Sequence, residues 1–414
     1  MQRVFTLFFI LFCSIYSFAQ IRYKDELFTI KKNADIQYGS NYDNKNQLTN
    51  LLMDVYEPLV DTATVRPLII FVHGGSFVGG DRTDQQINRT AEFFAKKGYV
   101  TANIEYRVEQ TILIDPIINF ADSYNWHRAI ARATQDLKAA IRYFKKDAAI
   151  NGNRYKVDTS KIFLYGSSAG AITALHTIYL DDTLEMTGVT KASYSNVGGL
   201  DGNSGNDGYS SKSGVKAIVS CSGALESLNC MNNNSDIDLL LFHNNPDLTV
   251  PFNIGCFVTV ACWLGQYYGS NQLYPKANAL GAYTEYYPFN YYGHPVDQAN
   301  DTTAHRIILQ KTTDFLYRIA QPEIPTLIRN NTNVASLDIF PNPTDGNFTI
   351  SIPTTLQQQE VEINIMDITG KIVYTEKSSN KAIVPINTTL PKGMYAVSII
   401  ANNQQSIGKI SVVK

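Results

Sequence analysis

The spacing of apolar residues changes along the chain, and this change predicts two domains of different architecture. Between about residue 21 and residue 325, short apolar runs alternate with stretches of helical period. Such alternation is typical of a mostly parallel sheet flanked by helices. After residue 336, apolar residues fall at every second position, which is typical of strands with one buried face. The predicted fold class is therefore α/β, followed by a small antiparallel β-sandwich.

Four apolar runs in the first region have the length and residue types of buried parallel strands. They lie at Leu68–Val72, Val100–Tyr106, Lys161–Tyr165 and Val215–Ser220. A last helix is predicted from about Thr303 to Ala320, with Asp301 near its start. An earlier helix, between the second and third strands, has an apolar face of Ile130, Ala133, Leu137, Ile141 and Phe144.

The segment that follows the last helix has linker chemistry, because it combines two prolines with a polar run. We therefore predict a signal peptide at 1–19, the α/β domain at 20–321, a linker at 322–336 and the sandwich at 337–414. Within the sandwich, one buried face is predicted for Phe348, Ile350, Ile352, Val361, Ile363 and Ile365.

The first residues have the order of a secretory signal peptide: one Arg near the start, an apolar run, then small residues at Ser17 and Ala19. A membrane anchor is the alternative, but the run from Val4 to Ile15 is shorter than the ~20 residues that span a bilayer. No later stretch is apolar for long enough to span. We expect a protein without a stable membrane span, secreted or held at the cell surface.

The balance of charged residues argues against nucleic acid as a partner. The 35 Lys and Arg nearly balance the 37 Asp and Glu, so the basic surface that nucleic-acid binding requires is not expected. With 11% aromatic residues and 17% charged residues, the chain also has the composition of a folded protein.

Cleavage of the signal would leave four cysteines, Cys221, Cys230, Cys256 and Cys262. In an exported protein they favour disulfides, and three pairings of two bridges are open. Zinc is the alternative, but no His lies at a metal-ligand spacing from them. No metal site is predicted.

A Gly-x-Ser-x-Gly motif follows the strand Lys161–Tyr165 and precedes a helical stretch. In this context the motif places a Ser on a tight strand-to-helix turn with its hydroxyl exposed. Ser168 is the predicted nucleophile. Ser167 lies one residue out of register, and we predict that its hydroxyl bonds to the backbone of the turn.

A glycine-rich segment follows the strand Leu68–Val72. Free backbone amides after a buried strand are what an oxyanion hole requires. We predict that the amides of Gly75, Ser76 and Ala169 form it, with Gly74 leaving room. A simple tight turn is the alternative. His73 is predicted to be a structural hydrogen-bonding residue beneath the loop.

The predicted acid is Asp247, which follows the apolar strand Leu239–Phe242. Asp236 and Asp238 precede that strand, so they are expected at its opposite end.

The predicted base is His294, on the loop after a strand at Ala282–Phe289. His305 lies within the last helix and is predicted to be an ordinary helix-face residue. The chain order Ser168, Asp247, His294 is that of α/β-hydrolases.

With these motifs, residues 48–320 or so resemble secreted α/β-hydrolase esterases of the carboxylesterase and feruloyl-esterase-like group. The resemblance implies hydrolysis of carboxylic esters through a Ser-His-Asp triad and an acyl-enzyme, with no metal and no organic cofactor. In the acid motif, Asn244 and Asn245 replace the usual Gly-Thr, and Ser76 replaces a glycine of the oxyanion loop. The segments that carry the resemblance are MDVYEP at 53–58, HGGSF at 73–77, Tyr106-Arg107 and the helix at 133–144.

Four segments of the C-terminal region carry a second resemblance: 338–343, 367–371, 390–395 and 409–414. With these segments the region resembles the sorting domain of type IX secretion substrates in the Bacteroidota. This resemblance implies the secretion machinery as a partner. A carbohydrate-binding sandwich is the alternative, but it would expose more aromatic residues on one face.

Other functions and the substrate stay open from sequence. A serine peptidase of the same fold and a non-catalytic binding protein are the alternatives to an ester hydrolase. Residues 185–214 and 254–292 are expected to frame the cleft as loops. The tyrosines of the second stretch would form either a rim for aromatic or sugar-linked esters, or a packed surface layer.

Overall fold

The computed structural model describes residues 20–109, 123–186, 188–205, 208–232, 236–290, 293–298, 302–321, 337–354, 356–357, 359–367, 371–401 and 404–414. The chain divides into two compact units, with the division in the sequence between Gln321 and Pro322. The predicted signal peptide at 1–19 and linker at 322–336 lie outside the described residues, as does Asp301.

The first unit is built on a central sheet of eight strands in the order β1-β2-β4-β3-β5-β6-β8-β11. Strands β1 and β2 run antiparallel to their neighbours, and all pairs from β4 to β11 are parallel. This confirms the predicted mostly parallel sheet. The strands are β1 Ile30–Tyr42, β2 Leu48–Pro58, β3 Arg66–Val72, β4 Val100–Ile104, β5 Val157–Ser167, β6 Val215–Cys221, β8 Asp238–Asn244 and β11 Thr284–Phe289.

Helices cover both faces of this sheet, which explains why β3 is apolar at successive positions. Leu68, Ile70 and Val72 share one hydrophobic core with helices α2 (Ser123–Ile150) and α3 (Ala169–Tyr179). Ile69 and Phe71 share another core with helices α1 (Gln85–Lys96) and α6 (Thr302–Ala320). The helix face predicted from Ile130 to Phe144 is buried in α2 as expected. The helices are α1 Gln85–Lys96, α2 Ser123–Ile150, α3 Ala169–Tyr179, α4 Gly188–Asn196, α5 Ser270–Ala279 and α6 Thr302–Ala320.

The strand predicted at Val100–Tyr106 is longer than the observed one. Strand β4 ends at Ile104, and Tyr106 has left the sheet to donate its hydroxyl to the carbonyl of His73 at 3.1 Å. A smaller antiparallel sheet, β7-β10-β9, lies outside the predicted pattern because its strands have two or three residues each: Ala224–Leu225, Tyr267–Gly269 and Ile254–Gly255.

The second unit is a two-layer antiparallel sandwich, as the two-residue period predicted. Its sheets have the orders β12-β13-β16 and β15-β14-β17-β18. The predicted inward residues share one buried core. Its strands are β12 Ile339–Phe340, β13 Asn347–Ser351, β14 Glu360–Met366, β15 Ile372–Ser379, β16 Ile383–Asn387, β17 Gly393–Ala401 and β18 Gln404–Val412.

One disulfide forms, between Cys256 and Cys262. Cys221 and Cys230 are buried free thiols, so the expectation of a second bridge is wrong. Each has a local polar neighbour instead: Cys221 Sγ lies 3.3 Å from the hydroxyl of Tyr165, and Cys230 Sγ lies 2.6 Å from the carbonyl of Ser227.

Among the described residues, no group of three or more His, Cys, Asp or Glu is arranged to hold a metal ion. No helix in the same part of the chain is long and apolar enough to cross a bilayer.

A buried ion pair fixes the chain after β4 to helix α2. Arg107 and Asp136 have side chains that are 2% and 0% exposed, and the guanidinium donates to both carboxylate oxygens at 2.8 to 3.0 Å. The backbone N–H of Arg107 donates to the same carboxylate at 2.8 Å. Removal of the carboxylate would leave a buried guanidinium without its counter-charge.

We expect Asp136→Ala to lower the free energy of unfolding of the first unit by about 3–5 kcal/mol. Asp181→Ala is the matched control, because Asp181 pairs with Lys212 at the surface and its loss should cost less than about 1 kcal/mol. Urea unfolding followed by tryptophan fluorescence measures both, since the two tryptophans, Trp126 and Trp263, lie in the first unit. Equal losses for the two variants would contradict the prediction.

Candidate active site

Ser168 lies on a strained turn between β5 and α3, with φ of +52°. The flanking glycines allow the turn because side chains do not fit there. A Cβ on Gly166 would lie 2.3 Å from the carbonyl oxygen of Gly170, and a Cβ on Gly170 would lie 2.0 Å from that of Val72. The motif therefore forms the sharp strand-to-helix turn that its sequence predicts.

The three predicted residues, Ser168, His294 and Asp247, come together in one hydrogen-bonded chain. Ser168 Oγ lies 2.6 Å from His294 Nε2, and His294 Nδ1 lies 2.7 Å from Asp247 Oδ2. They follow β5, β11 and β8, whose carboxyl ends meet at one edge of the parallel sheet. The imidazole of His294 therefore lies between the hydroxyl of Ser168, which its Nε2 faces, and the carboxylate of Asp247, which its Nδ1 faces.

Asp247 is held as an anion by several donors. The backbone N–H groups of Thr249 and Val250 donate to Oδ1 at 2.8 and 3.0 Å, and His243 Nε2 lies 3.4 Å from Oδ2. Burial raises the pKa of Asp247, but the hydrogen bonds from His243 and His294 outweigh it and lower the pKa overall. The lowered pKa keeps the carboxylate of Asp247 charged, so it can accept a hydrogen bond from the imidazole beside it.

The three residues that were not predicted to be catalytic, Asp236, Asp238 and His305, lie outside this hydrogen-bonded chain. Asp236 precedes β8 and Asp238 opens it, so both are at the opposite end of the strand from Asp247. His305 lies in α6, with Nδ1 2.7 Å from the side-chain amide of Gln86.

Asn244 supports the loop that carries His294. Its side-chain amide donates to the carbonyl of Gly293 at 2.7 Å. Asn244 replaces the glycine of the usual acid motif. Its amide side chain joins the end of β8 to the residue before His294.

Three of the four predicted oxyanion residues, Gly74, Ser76 and Ala169, lie close to Ser168. Gly75 and Ser76 have φ of +115° and +52°, and Ser76 lines the same pocket as Ser168 and Ala169. A Cβ on Gly74 would lie 3.3 Å from Ser168 Cβ, so a larger residue there would crowd the nucleophile. The role of the amides in binding an oxyanion stays a prediction.

His73 is a structural residue, as predicted. It is buried and stacks on Tyr106 with ring centroids 4.2 Å apart, and its Nδ1 lies 2.7 Å from the carbonyl of Gly74. Burial lowers the pKa of His73 and keeps the ring neutral.

The prediction for Ser167 is wrong in its partner. The hydroxyl donates to the buried carboxylate of Asp297 at 2.8 Å, and the hydroxyl of Tyr165 lies 3.5 Å from the same group. The backbone two residues after His294 is also fixed, because the N–H of Val296 donates to Ser222 Oγ at 3.1 Å. The segment after His294 is therefore fastened to the ends of β5 and β6.

An apolar pocket of about 60 Å³ opens beside Ser168. The described residues of 185–214 do not line it, which corrects that expectation: Leu200 and Ser204 accept hydrogen bonds from Lys138 and Arg142 of α2 instead. Part of 254–292 does line it, but through non-tyrosine residues. The lining is Ser76, Phe77, Trp126, Ser168, Ala169, Ile172, Thr249, Val250, Phe257, Val258, Ala261 and Leu264.

Asp297 makes the stability of the protein depend on pH. Burial raises its pKa from 3.8 to about 6, and the hydrogen bond from Ser167 offsets part of the rise. The folded protein thus holds this proton more tightly than the unfolded chain does. The resulting stabilisation is complete below the ordinary pKa of 3.8 and is lost as the pH rises through 6.

We expect Asp297→Asn, which stays neutral, to gain about 3 kcal/mol of stability relative to the natural protein between about pH 4 and about pH 8. Urea unfolding over this range measures the difference. Ser167→Ala should enlarge the total loss of stability over this range, because it removes a group that lowers the pKa of Asp297. A pH-independent difference between the natural protein and Asp297→Asn would refute the assignment.

Comparison with known proteins gives matches for both units. Residues 53–249 match the BD-FAE family model, and residues 338–413 match the model of the secretion system C-terminal sorting domain. Ulvan lyase NLR42 of Nonlabens ulvanivorans is 31% identical over 84 residues, which are 20% of this chain. The chain spans 15% of the length of that relative.

Solved structures of esterase 2 of Thermogutta terrifontis cover 73% of this chain and 100% of their own. The form phosphorylated by paraoxon is 20% identical with a TM-score of 0.49, and the apo form is 21% identical with a TM-score of 0.47. On the two family matches, the chain carries a BD-FAE domain, which is an esterase-like α/β-hydrolase domain, and a type IX secretion sorting domain.

Proposed function

We propose that the protein is an exported serine esterase that hydrolyses carboxylic esters through Ser168, His294 and Asp247. The observation that carries the proposal is the hydrogen-bonded chain of these residues at the mouth of an apolar pocket. The sorting domain indicates export to the cell surface or beyond.

The first half of the reaction forms an acyl-enzyme. His294 Nε2 takes the proton of Ser168 as Oγ attacks the ester carbonyl, and the C–O bond to the alcohol breaks after His294 returns the proton to the leaving oxygen. Asp247 accepts the Nδ1 hydrogen and stabilises the imidazolium that forms. The distances of 2.6 and 2.7 Å are those of strong hydrogen bonds before any substrate arrives.

Charge that develops on the carbonyl oxygen needs donors that are already in place. The amides of Gly75, Ser76 and Ala169 have this role in the proposal. Ala169 is the first residue of α3, so its N–H is among those that the helix leaves without an internal partner. One such donor supplies a factor of about 10² to 10³ in rate.

In the second half of the reaction, water replaces the alcohol. His294 removes a proton from water, which attacks the acyl-enzyme, and the acid leaves as the proton returns to Ser168 Oγ. The proposed steps use protein groups and water throughout.

Substitution of the three residues tests the proposal. We expect Ser168→Ala and His294→Ala each to lower kcat on p-nitrophenyl acetate by about 10⁶-fold, because either change removes the nucleophilic step. Asp247→Asn should cost about 10⁴-fold, since the nucleophile and base remain but the imidazole loses its oriented acceptor.

The matched control is Ser160→Ala, which changes the same residue type at an exposed position of β5 away from the site and should keep full activity. Circular dichroism confirms that each variant is folded. Activity retained in Ser168→Ala, or cleavage of peptides in place of esters, would refute the proposal.

A further inference from the structure

The apolar pocket lies on the acyl side of the predicted nucleophile. The leaving alcohol must be protonated by His294, so it departs on the side of that imidazole. His294 does not line the pocket, whereas Ser168 and the predicted oxyanion residues Ser76 and Ala169 do. An ester bound for attack would therefore direct its acyl chain into the pocket and its alcohol away from it. This step rests on the proposed function.

One wall of the pocket is a short segment closed by the disulfide. We call residues 256–262 the disulfide loop, because Cys256 and Cys262 join its ends. Phe257, Val258 and Ala261 line the pocket, and Leu264 lies just beyond the loop.

The conformation of the loop is constrained as well as cross-linked. Val258 and Thr259 have φ of +46° and +60°, which β-branched residues rarely adopt. The N–H of Val258 donates to the carbonyl of Thr249 at 2.8 Å, which ties the loop to the segment that carries Asp247. Strain of this kind persists where the surroundings over-determine the backbone.

A rigid aromatic cluster backs the same wall. The ring of Phe257 lies 4.6 Å from that of Trp126 and 4.4 Å from that of Tyr267, centroid to centroid. Trp126 Nε1 donates to the hydroxyl of Tyr267 at 2.9 Å, and both side chains are buried. The pocket thus ends against buried aromatic side chains that pack on one another.

The size of the pocket limits the acyl chain. A group the size of a water molecule or a methylene occupies roughly 10–15 Å³ of cavity volume. The pocket of about 60 Å³ therefore holds about four to six such groups. We propose that the enzyme takes esters of short aliphatic acids, of up to about six carbons, and that the disulfide loop sets this limit.

A series of p-nitrophenyl esters with acetate, butanoate, octanoate and dodecanoate acyl groups tests the proposal. The natural protein should hydrolyse acetate and butanoate with kcat/KM values within about tenfold of each other, and octanoate at least about tenfold more slowly than butanoate. Dodecanoate should be slower still.

Two valines of the loop provide a matched pair. Val258 lines the pocket, whereas Val260 is 64% exposed. Val258→Ala should raise the ratio of octanoate to butanoate kcat/KM by about tenfold, because it enlarges the acyl side, and Val260→Ala should change the ratio by less than about twofold.

The double variant Cys256→Ser/Cys262→Ser frees the loop and should raise the same ratio. Equal ratios in Val258→Ala and Val260→Ala would overturn the inference, whether or not the cysteine variant folds. Hydrolysis that is lost in Ser168→Ala but is independent of acyl length would also overturn it and would leave the esterase proposal intact. Absence of Ser168-dependent hydrolysis across the series would overturn both.

Discussion

The approach of helix α3 to strand β3 is the constraint on which the site depends. Gly170 packs so closely on the carbonyl of Val72 that a Cβ would lie 2.0 Å from its oxygen. A side chain there would push the helix away from the sheet, and Ser168 would move with it. Because a displacement of about 1 Å in a catalytic group can cost a factor of about 10² in rate, this packing governs the geometry of Ser168 and His294.

Two buried carboxylates near Ser168 show how local donors decide charge. Asp247 has two backbone N–H donors and two histidines around it, and its pKa is lowered although burial acts in the opposite direction. Asp297 has a serine hydroxyl and is more deeply desolvated, and its pKa rises to about 6. One group is suited to stabilise an imidazolium, and the other to fasten the segment after His294.

The sheet and the chain order of the candidate site could be predicted because both follow from local patterns. Continuous apolar runs indicate parallel strands, and their carboxyl ends share an edge, so residues that follow different strands are brought together. Ser168, Asp247 and His294 each follow a different parallel strand, so their proximity could be predicted from the order of the strands alone.

What could not be predicted depends on pairings between distant parts of the chain. Nothing in the local sequence of Ser167 indicates Asp297, 130 positions away, as its partner. The same holds for Trp126 and Phe257 in the pocket wall. The pairing of Cys256 with Cys262 rather than with Cys230 depends on the loop geometry, which the spacing of cysteines leaves open.

Covalent labelling is the most direct test of whether Ser168 is a nucleophile activated by His294. A fluorophosphonate probe reacts with an activated serine, and mass spectrometry of the digested protein locates the adduct. We expect a single adduct on Ser168 that disappears in His294→Ala. An adduct on Ser167 or any other residue, or no adduct on the folded protein, would contradict the proposed role of Ser168.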